Sequence, residues 1–288
     1  MRKKRFTGFD FTVYTIATIL FLIVLYPLIL VVSNSFSDPG LVSTGQVWLL
    51  PKGFNLKGYI AVFQSKQIMS GYANTIFYTV VGTMLSLFIT LPAGYALTKQ
   101  NMPGRSFIMK LFLLTMYISG GLIPTFLVMN SLGLYNTRLM MILSGGFSVY
   151  NCIICRSFFA GLPKELEEAA EIDGCSPLGI FTRIVLPLSK ALLGVMVLYY
   201  AVGRWNGYFT AMIYLVDEDK KPLALVLRRI LRNAQELSND DELGAQAAQL
   251  EALIRYSSIV VSSLPLMVTY PFLQKYFDKG VLIGSVKG

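Results

Sequence analysis

The feature that most constrains this chain is a series of apolar blocks about as long as a lipid bilayer is thick, nearly all free of charge in their cores, the fifth being long enough despite Lys190 and Arg204. Phe11 to Val32 holds no Asp, Glu, Lys or Arg. Roughly 20 helical residues at ~1.5 Å each cross the hydrocarbon core. Such blocks recur along the chain, where 54% of the 288 residues are hydrophobic and 14% charged. A single soluble core cannot hide that much apolar surface, so lipid is the expected solvent. The pattern predicts an all-α polytopic protein with six transmembrane helices, over about 11–32, 72–98, 109–131, 139–160, 184–214 and 256–277. The first is read as an uncleaved anchor, because its apolar stretch outruns the ~7–15 residues of a signal-peptide core.

Six spans put both termini on one side, and basic residues in short loops say which. With the N-terminus cytoplasmic, the inner segments carry Arg2, Lys3, Lys4 and Arg5, then Lys99, Arg105 and Lys110, then Arg156, Lys164 and Arg183, and lastly Lys275, Lys279 and Lys287. The short outer loop near 130–138 carries only Arg138, which satisfies the positive-inside rule. The net charge of +9 is thereby accounted for by topology, without nucleic acid as a partner. The segment 217–255 is rich in carboxylates, including Asp217, Glu218, Asp219, Asp240, Asp241 and Glu242, and is expected to be an extracytoplasmic loop. Its second half, 241–256, is expected to run helically into the sixth span.

Chemistry is constrained by what is missing. There is no histidine and there are only three cysteines, which removes the usual routes to a metal site, a Ser-His-Asp triad or a Cys-His nucleophile. Cys152 and Cys155 form a C-x-x-C within an apolar helix and read as small packing residues. The chain has no G-x-x-x-x-G-K-[ST] phosphate loop, so any ATP and Mg would be held by a partner. None of the apolar cores holds an Asp or Glu, which argues against a proton-coupled secondary carrier. No catalytic residue, metal ligand or cofactor is assigned to this chain.

The densest motif is cytoplasmic, in the loop 161–183 between spans four and five. Pro163 suits a first helical position, Glu165, Glu167 and Glu168 complement the positive end of a helix dipole, and Gly174 suits a stop. Leu166, Ala169 and Ala170 share a face, where two alanines let another backbone approach closely. On physics alone, an acidic amphipathic surface helix accounts for this equally well.

Glu168-Ala169-Ala170, then Asp173-Gly174, then Ile184 and Leu186-Pro187 resemble the EAA loop of permease subunits in binding-protein-dependent ABC importers. The resemblance covers about the whole chain: Trp205-Asn206, 74–97 and 274–288 look like the carbohydrate branch, similar to the maltose-type permeases. Sequences 199–215, 223–231 and 47–59 resemble a subgroup associated with complex, often acidic, oligosaccharides. The family often has a proline soon after Leu186-Pro187, where this chain has Ser189-Lys190, and Arg204 stands where a neutral or weakly basic residue is expected. The resemblance implies a type I importer permease fold, with Glu168, Ala169, Ala170, Asp173 and Gly174 coupling to two cytoplasmic ATPase subunits. It also implies a second, homologous permease, an extracytoplasmic solute-binding protein that delivers a carbohydrate, and residence in the bacterial plasma membrane with both termini cytoplasmic.

The candidate substrate contacts are Tyr200, Arg204, Trp205, Asn206 and Tyr208. On a continuous helix Arg204 would lie ~25 Å from Pro187, in the outer third of the core, with Tyr200 and Tyr208 a turn away on the same face. Aromatic rings stack on sugar faces, and Asn and Arg bond hydroxyls or a carboxylate. An interfacial aromatic belt with a snorkelling arginine is the other reading. The rival functions are a secondary carrier or channel for a small polar solute and, more remotely, a membrane-bound enzyme.

Overall fold

The computed structural model describes residues 7–237, 249 and 254–271. The described residues form helices and connecting turns without a strand. In order these are α1 (Gly8–Ser35), α2 (Pro39–Ser43), α3 (Lys57–Gln64), α4 (Lys66–Ala96), α5 (Arg105–Tyr117), α6 (Leu122–Ser131), α7 (Arg138–Leu143), α8 (Val149–Ala160) and α9 (Lys164–Ile172). Next come α10 (Pro177–Ile180), a π-helical turn (Phe181–Val185), α11 (Leu186–Leu188), α12 (Lys190–Trp205), α13 (Phe209–Tyr214) and α14 (Leu223–Leu237). A last helix, α15, covers 254–271.

Two of these, α1 and α4, are long and apolar enough to cross a membrane whole. α1 starts at a capping box, in which Thr7 accepts from the Asp10 amide and Asp10 accepts from the Thr7 amide, satisfying two orphan donors. Its most apolar 18-residue window has no buried residue. α4 has a third of its window buried.

The other expected spans depart from simple rods. The third is α5 and α6, bent by 118° at Ile118–Gly121, where Gly121 takes φ 82°, a conformation that favours glycine. The fourth is α7 and α8, separated by 144–148. The fifth was expected to be continuous over 184–214, but its helices meet at 85° around Ser189. The cause is local. Pro187 cannot donate a helical hydrogen bond, and the buried Ser189 hydroxyl bonds back to the Val185 carbonyl at 2.7 Å. The π-helical turn just before is another marker of interrupted helix. Of the sixth span, 254–271 is helical; 272–277 lies outside the described residues, as does most of the helix expected over 241–256.

The chain divides into two compact units, Met1–Met69 with Val226–Leu264, and Ser70–Leu225 with Pro265–Gly288. In the first, buried Val42 and Val47 pack with Leu41 and Tyr256. The core of the second joins α4 (Leu91, Tyr95), α8 (Cys155, Phe159), α9 (Ala170), the π-turn (Phe181, Val185) and α12 (Leu192, Met196). Cys152 and Cys155 are both fully buried, consistent with their reading as packing residues.

Candidate functional site

The second unit holds a helical hairpin, a cavity and a strap, each built from residues far apart in sequence. The hairpin starts at α9, where Pro163 is the N-cap and Lys164 the first helical residue, one position later than the sequence suggested. Its end is a Schellman turn: the Cys175 amide donates to the Ala170 carbonyl at 2.9 Å and the Gly174 amide to the Glu171 carbonyl at 3.1 Å. Gly174 adopts φ 76°, which a Cβ disfavours. Ser176 then caps α10 by accepting from the Gly179 amide at 3.2 Å, and Pro177 supplies the first turn.

The five residues expected to couple divide by direction. Ala170 is buried in the core shared with Tyr95, Phe159 and Phe181, while Glu168, Ala169, Asp173 and Gly174 are exposed. Beside them Ile172 is 86% and Leu178 71% exposed, a pair of apolar side chains that the hairpin presents outward.

Glu167 does something that its place near a helix N-terminus did not announce. Its carboxylate pairs with Lys99 and accepts from the Tyr95 hydroxyl at 3.1 Å, and the Lys99 ammonium lies 4.8 Å from the Tyr95 ring centre. Burial works against the Lys99 charge, but the bonds to Glu167 and Tyr95 outweigh it and hold its pKa above the ordinary lysine value. Close by, the Leu97 carbonyl accepts from Arg105 Nε at 2.9 Å and Arg156 Nε at 3.1 Å, placing two cations at the negative end of α4. These contacts fasten α9 and α8 to the end of α4.

Elsewhere in this unit, a cavity of about 330 Å³ is lined by α4 (Thr75, Tyr78), the 144–151 segment (Ser144, Ser148, Asn151) and α12 (Tyr199, Tyr200, Arg204). Of the five expected substrate contacts, Tyr200 and Arg204 meet here. Trp205 instead packs edge-on against Tyr72 at 5.9 Å, and the Asn206 amide bonds back to the Val202 carbonyl at 3.0 Å. α12 ends at Trp205, so Tyr208 sits beyond it as the N-cap of α13 and not one turn above Arg204 on a continuous helix. The cavity's Tyr199, Asn151 and Ser148 were not singled out from sequence: Ser148 and Asn151 begin α8, about 50 residues before Arg204, and only the fold brings that end of α8 to α12.

Arg204 donates from one terminal nitrogen to the Met141 carbonyl and from the other to Ser86 Oγ, each at 3.0 Å. Its guanidinium lies against Gly82, where an added Cβ would overlap it. Among the described residues no carboxylate lines the cavity. The Tyr200 hydroxyl is within 2.7 Å of Thr90 Oγ1, which fixes that ring.

Toward the N-terminal half of α4, Asn74 Nδ2 donates to the carbonyls of Asp219 and Lys221 at 2.6 and 3.1 Å, Tyr78 donates to that of Lys220 at 2.8 Å, and Thr75 Oγ1 accepts from the Leu223 amide at 2.8 Å. Asn136, in the left-handed region at φ 55°, accepts from the amides of Val216 and Asp217 at 3.1 Å. Hydrogen bonding by Lys220, then by Asn136, holds the Asp217 carboxyl below the usual carboxylate range. The 216–223 strap is thus pinned before α14, whose Leu223 and Val226 are buried while Arg228 and Arg232 are exposed.

A family described as the binding-protein-dependent transport system inner membrane component matches residues 68–283. The chain belongs to this family. Protein LplC of Bacillus subtilis (strain 168) is 41% identical over 281 residues, 96% of this chain and 95% of that protein. The polygalacturonan/rhamnogalacturonan transport system permease protein YtcP of the same organism is 40% identical, covering 97% and 98%. Among solved structures, a bacterial ABC transporter involved in import of the acidic polysaccharide alginate has a chain 34% identical, with a TM-score of 0.86 over 96% of this chain and 99% of that one. The family and helical fold inferred from the EAA-like loop are thereby shown, and this inner membrane component has the fold of an ABC importer permease.

Proposed function

We propose that this chain is one of two homologous permeases of an ATP-driven importer that carries oligosaccharides, acidic ones among them, across a bacterial plasma membrane. Two cytoplasmic ATPase subunits bind and hydrolyse ATP with Mg, and an extracytoplasmic solute-binding protein delivers the sugar. The observation that carries this reading is the α9–α10 hairpin. Its inner side is fastened to α4 through Ala170 and Glu167, and its outer side offers Ile172 and Leu178 for a partner. An apolar pair ringed by Glu168, Glu171 and Asp173 suits a cleft with an apolar floor and a basic rim. The carbohydrate assignment is supported by the relatives, whose carried polymers include polygalacturonan, rhamnogalacturonan and alginate.

The acidic preference is supported by the cavity. An arginine inside a span costs a few kcal/mol, and among the described residues this one meets two neutral acceptors and no carboxylate. A uronate entering beside Tyr199 and Tyr200 would supply the missing charge. Arg204→Gln keeps a donor and loses the charge. Losing a charge-assisted bond of ~1.5–3 kcal/mol, it is expected to lower uptake of an acidic oligosaccharide about ten- to a hundredfold while sparing the neutral analogue. Equal loss of both substrates would assign Arg204 to holding α4, α7 and α12 together instead.

An orientation with both termini in the cytoplasm and the strap outside is supported by the basic residues of the short loops on the N-terminal side. A cysteine at Glu218 is therefore expected to react with a membrane-impermeant maleimide in intact cells; labelling only after permeabilisation would reverse the topology.

A further inference from the structure

In the first unit an apolar tip is lashed to the end of the first span. Trp48, Leu49, Leu50 and Phe54 are between 56% and 78% exposed, yet their backbone is held firmly. The Ser33 hydroxyl donates to the Leu49 carbonyl at 2.5 Å, the Lys52 amide to Ser37 Oγ at 3.0 Å, the Asp38 amide to the Lys52 carbonyl at 2.9 Å and the Asn55 amide to the Phe36 carbonyl at 3.0 Å. Phe54 stacks on Phe36 with ring centres 5.7 Å apart. The Trp48 indole N–H is satisfied internally by the Gly45 carbonyl at 3.1 Å, so the ring can lie in an apolar setting without an orphan donor.

The bond at Ser33 fixes the depth of this tip. The apolar run of α1 begins at Phe11, after Asp10, and ends at Val32, before the polar Ser33-Asn34-Ser35, about 33 Å of helix at ~1.5 Å per residue. That matches a ~30 Å hydrocarbon core, so Ser33 falls at its boundary and Leu49 lies beside it. The tip continues the surface of α1, where Leu28 is 52% and Val32 45% exposed. Exposed Lys52 follows in sequence, an ammonium able to meet a lipid phosphate.

We propose that 48–54 is an interfacial foot that inserts Trp48, Leu49, Leu50 and Phe54 among lipid headgroups and upper acyl chains, with Lys52 on the phosphates. Tryptophan at the headgroup level and lysine reaching outward are the residues that stabilise such a position. The foot fixes the height of the end of α1 in the bilayer. This inference rests on α1 crossing the membrane and is independent of which sugar is carried.

A nitroxide at Leu50→Cys, with native cysteines replaced and the assembled importer in lipid nanodiscs, tests it. Collisions with oxygen, which concentrates in lipid, are expected to exceed those with a water-soluble nickel chelate by a ratio several-fold higher than for a nitroxide at Glu218→Cys. A nickel-dominated signal like that at Glu218 would place the tip in water and overturn the proposal. Low collision rates with both reagents would show that protein covers it, which overturns the proposal equally. Phe54→Cys provides the same readout if the first variant does not assemble.

Discussion

Uptake by Gly174→Val is expected to fall at least about tenfold while the protein reaches the membrane at normal levels. The residue sits at φ 76°, where a side chain costs roughly 1–2 kcal/mol and a β-branched one more. To relieve that strain the turn must open, losing the bonds from Gly174 to Glu171 and from Cys175 to Ala170. Those two bonds set the angle between α9 and α10, and hence where Ile172 and Leu178 point. On the proposed coupling role, a hairpin that presents them wrongly is expected to leave ATP hydrolysis by the partner ATPase in place while its closure no longer reaches the spans. Transport and ATP hydrolysis measured on the same reconstituted complex would separate this from simple loss of protein. Unchanged uptake at normal insertion would remove the hairpin from the coupling path.

The other large effect is expected at Gly82, which lies in a span and far from any motif. A Cβ at this position would occupy the space of the Arg204 guanidinium. Gly82→Val should therefore expel that group from its bonds to Met141 and Ser86. Leaving a partly buried cation without them costs of the order of 3 kcal/mol or more, visible as loss of assembled complex on heating. The steric account makes a sharper prediction in a double-mutant cycle: Arg204→Ala should recover part of the stability lost in Gly82→Ala, because it vacates the disputed space. Additive losses would mean that the two residues act separately.

What could be read from the chain beforehand depended on how local it was. The α9 hairpin was legible because its helix formers, acidic first turn and stop glycine lie within about a dozen residues, and each acts on its neighbours through backbone bonds. The broken fifth span was not, because Ser189 looks innocuous among apolar residues; its hydroxyl bonds to the Val185 carbonyl while its amide donates to Leu186 instead. Glu167 and Lys99 are 68 positions apart, and Asn74 and Lys221 147 apart, so no spacing rule connects them. Arg204 was conspicuous as a charge in an apolar block, but its partner Gly82 was not, since what matters there is absent volume. Tyr208 was misplaced because a periodicity argument assumed a helix that in fact ends at Trp205.

The contacts along α4 lead one step further. Asn74, Thr75 and Tyr78 hold the 216–223 strap, and Tyr95, with Lys99 just beyond the helix, holds Glu167 of α9. On the proposed topology this one helix has a hand on both faces of the membrane, separated by ~25–30 Å of rise. A helix that tilts as one piece acts as a seesaw: its two ends move in opposite senses. Displacement of the hairpin on one side then obliges a displacement of the strap on the other, with no relay of small side-chain shifts between them. Opening toward one compartment and closing toward the other become a single mechanical event, which would keep the pathway from ever standing open at both ends.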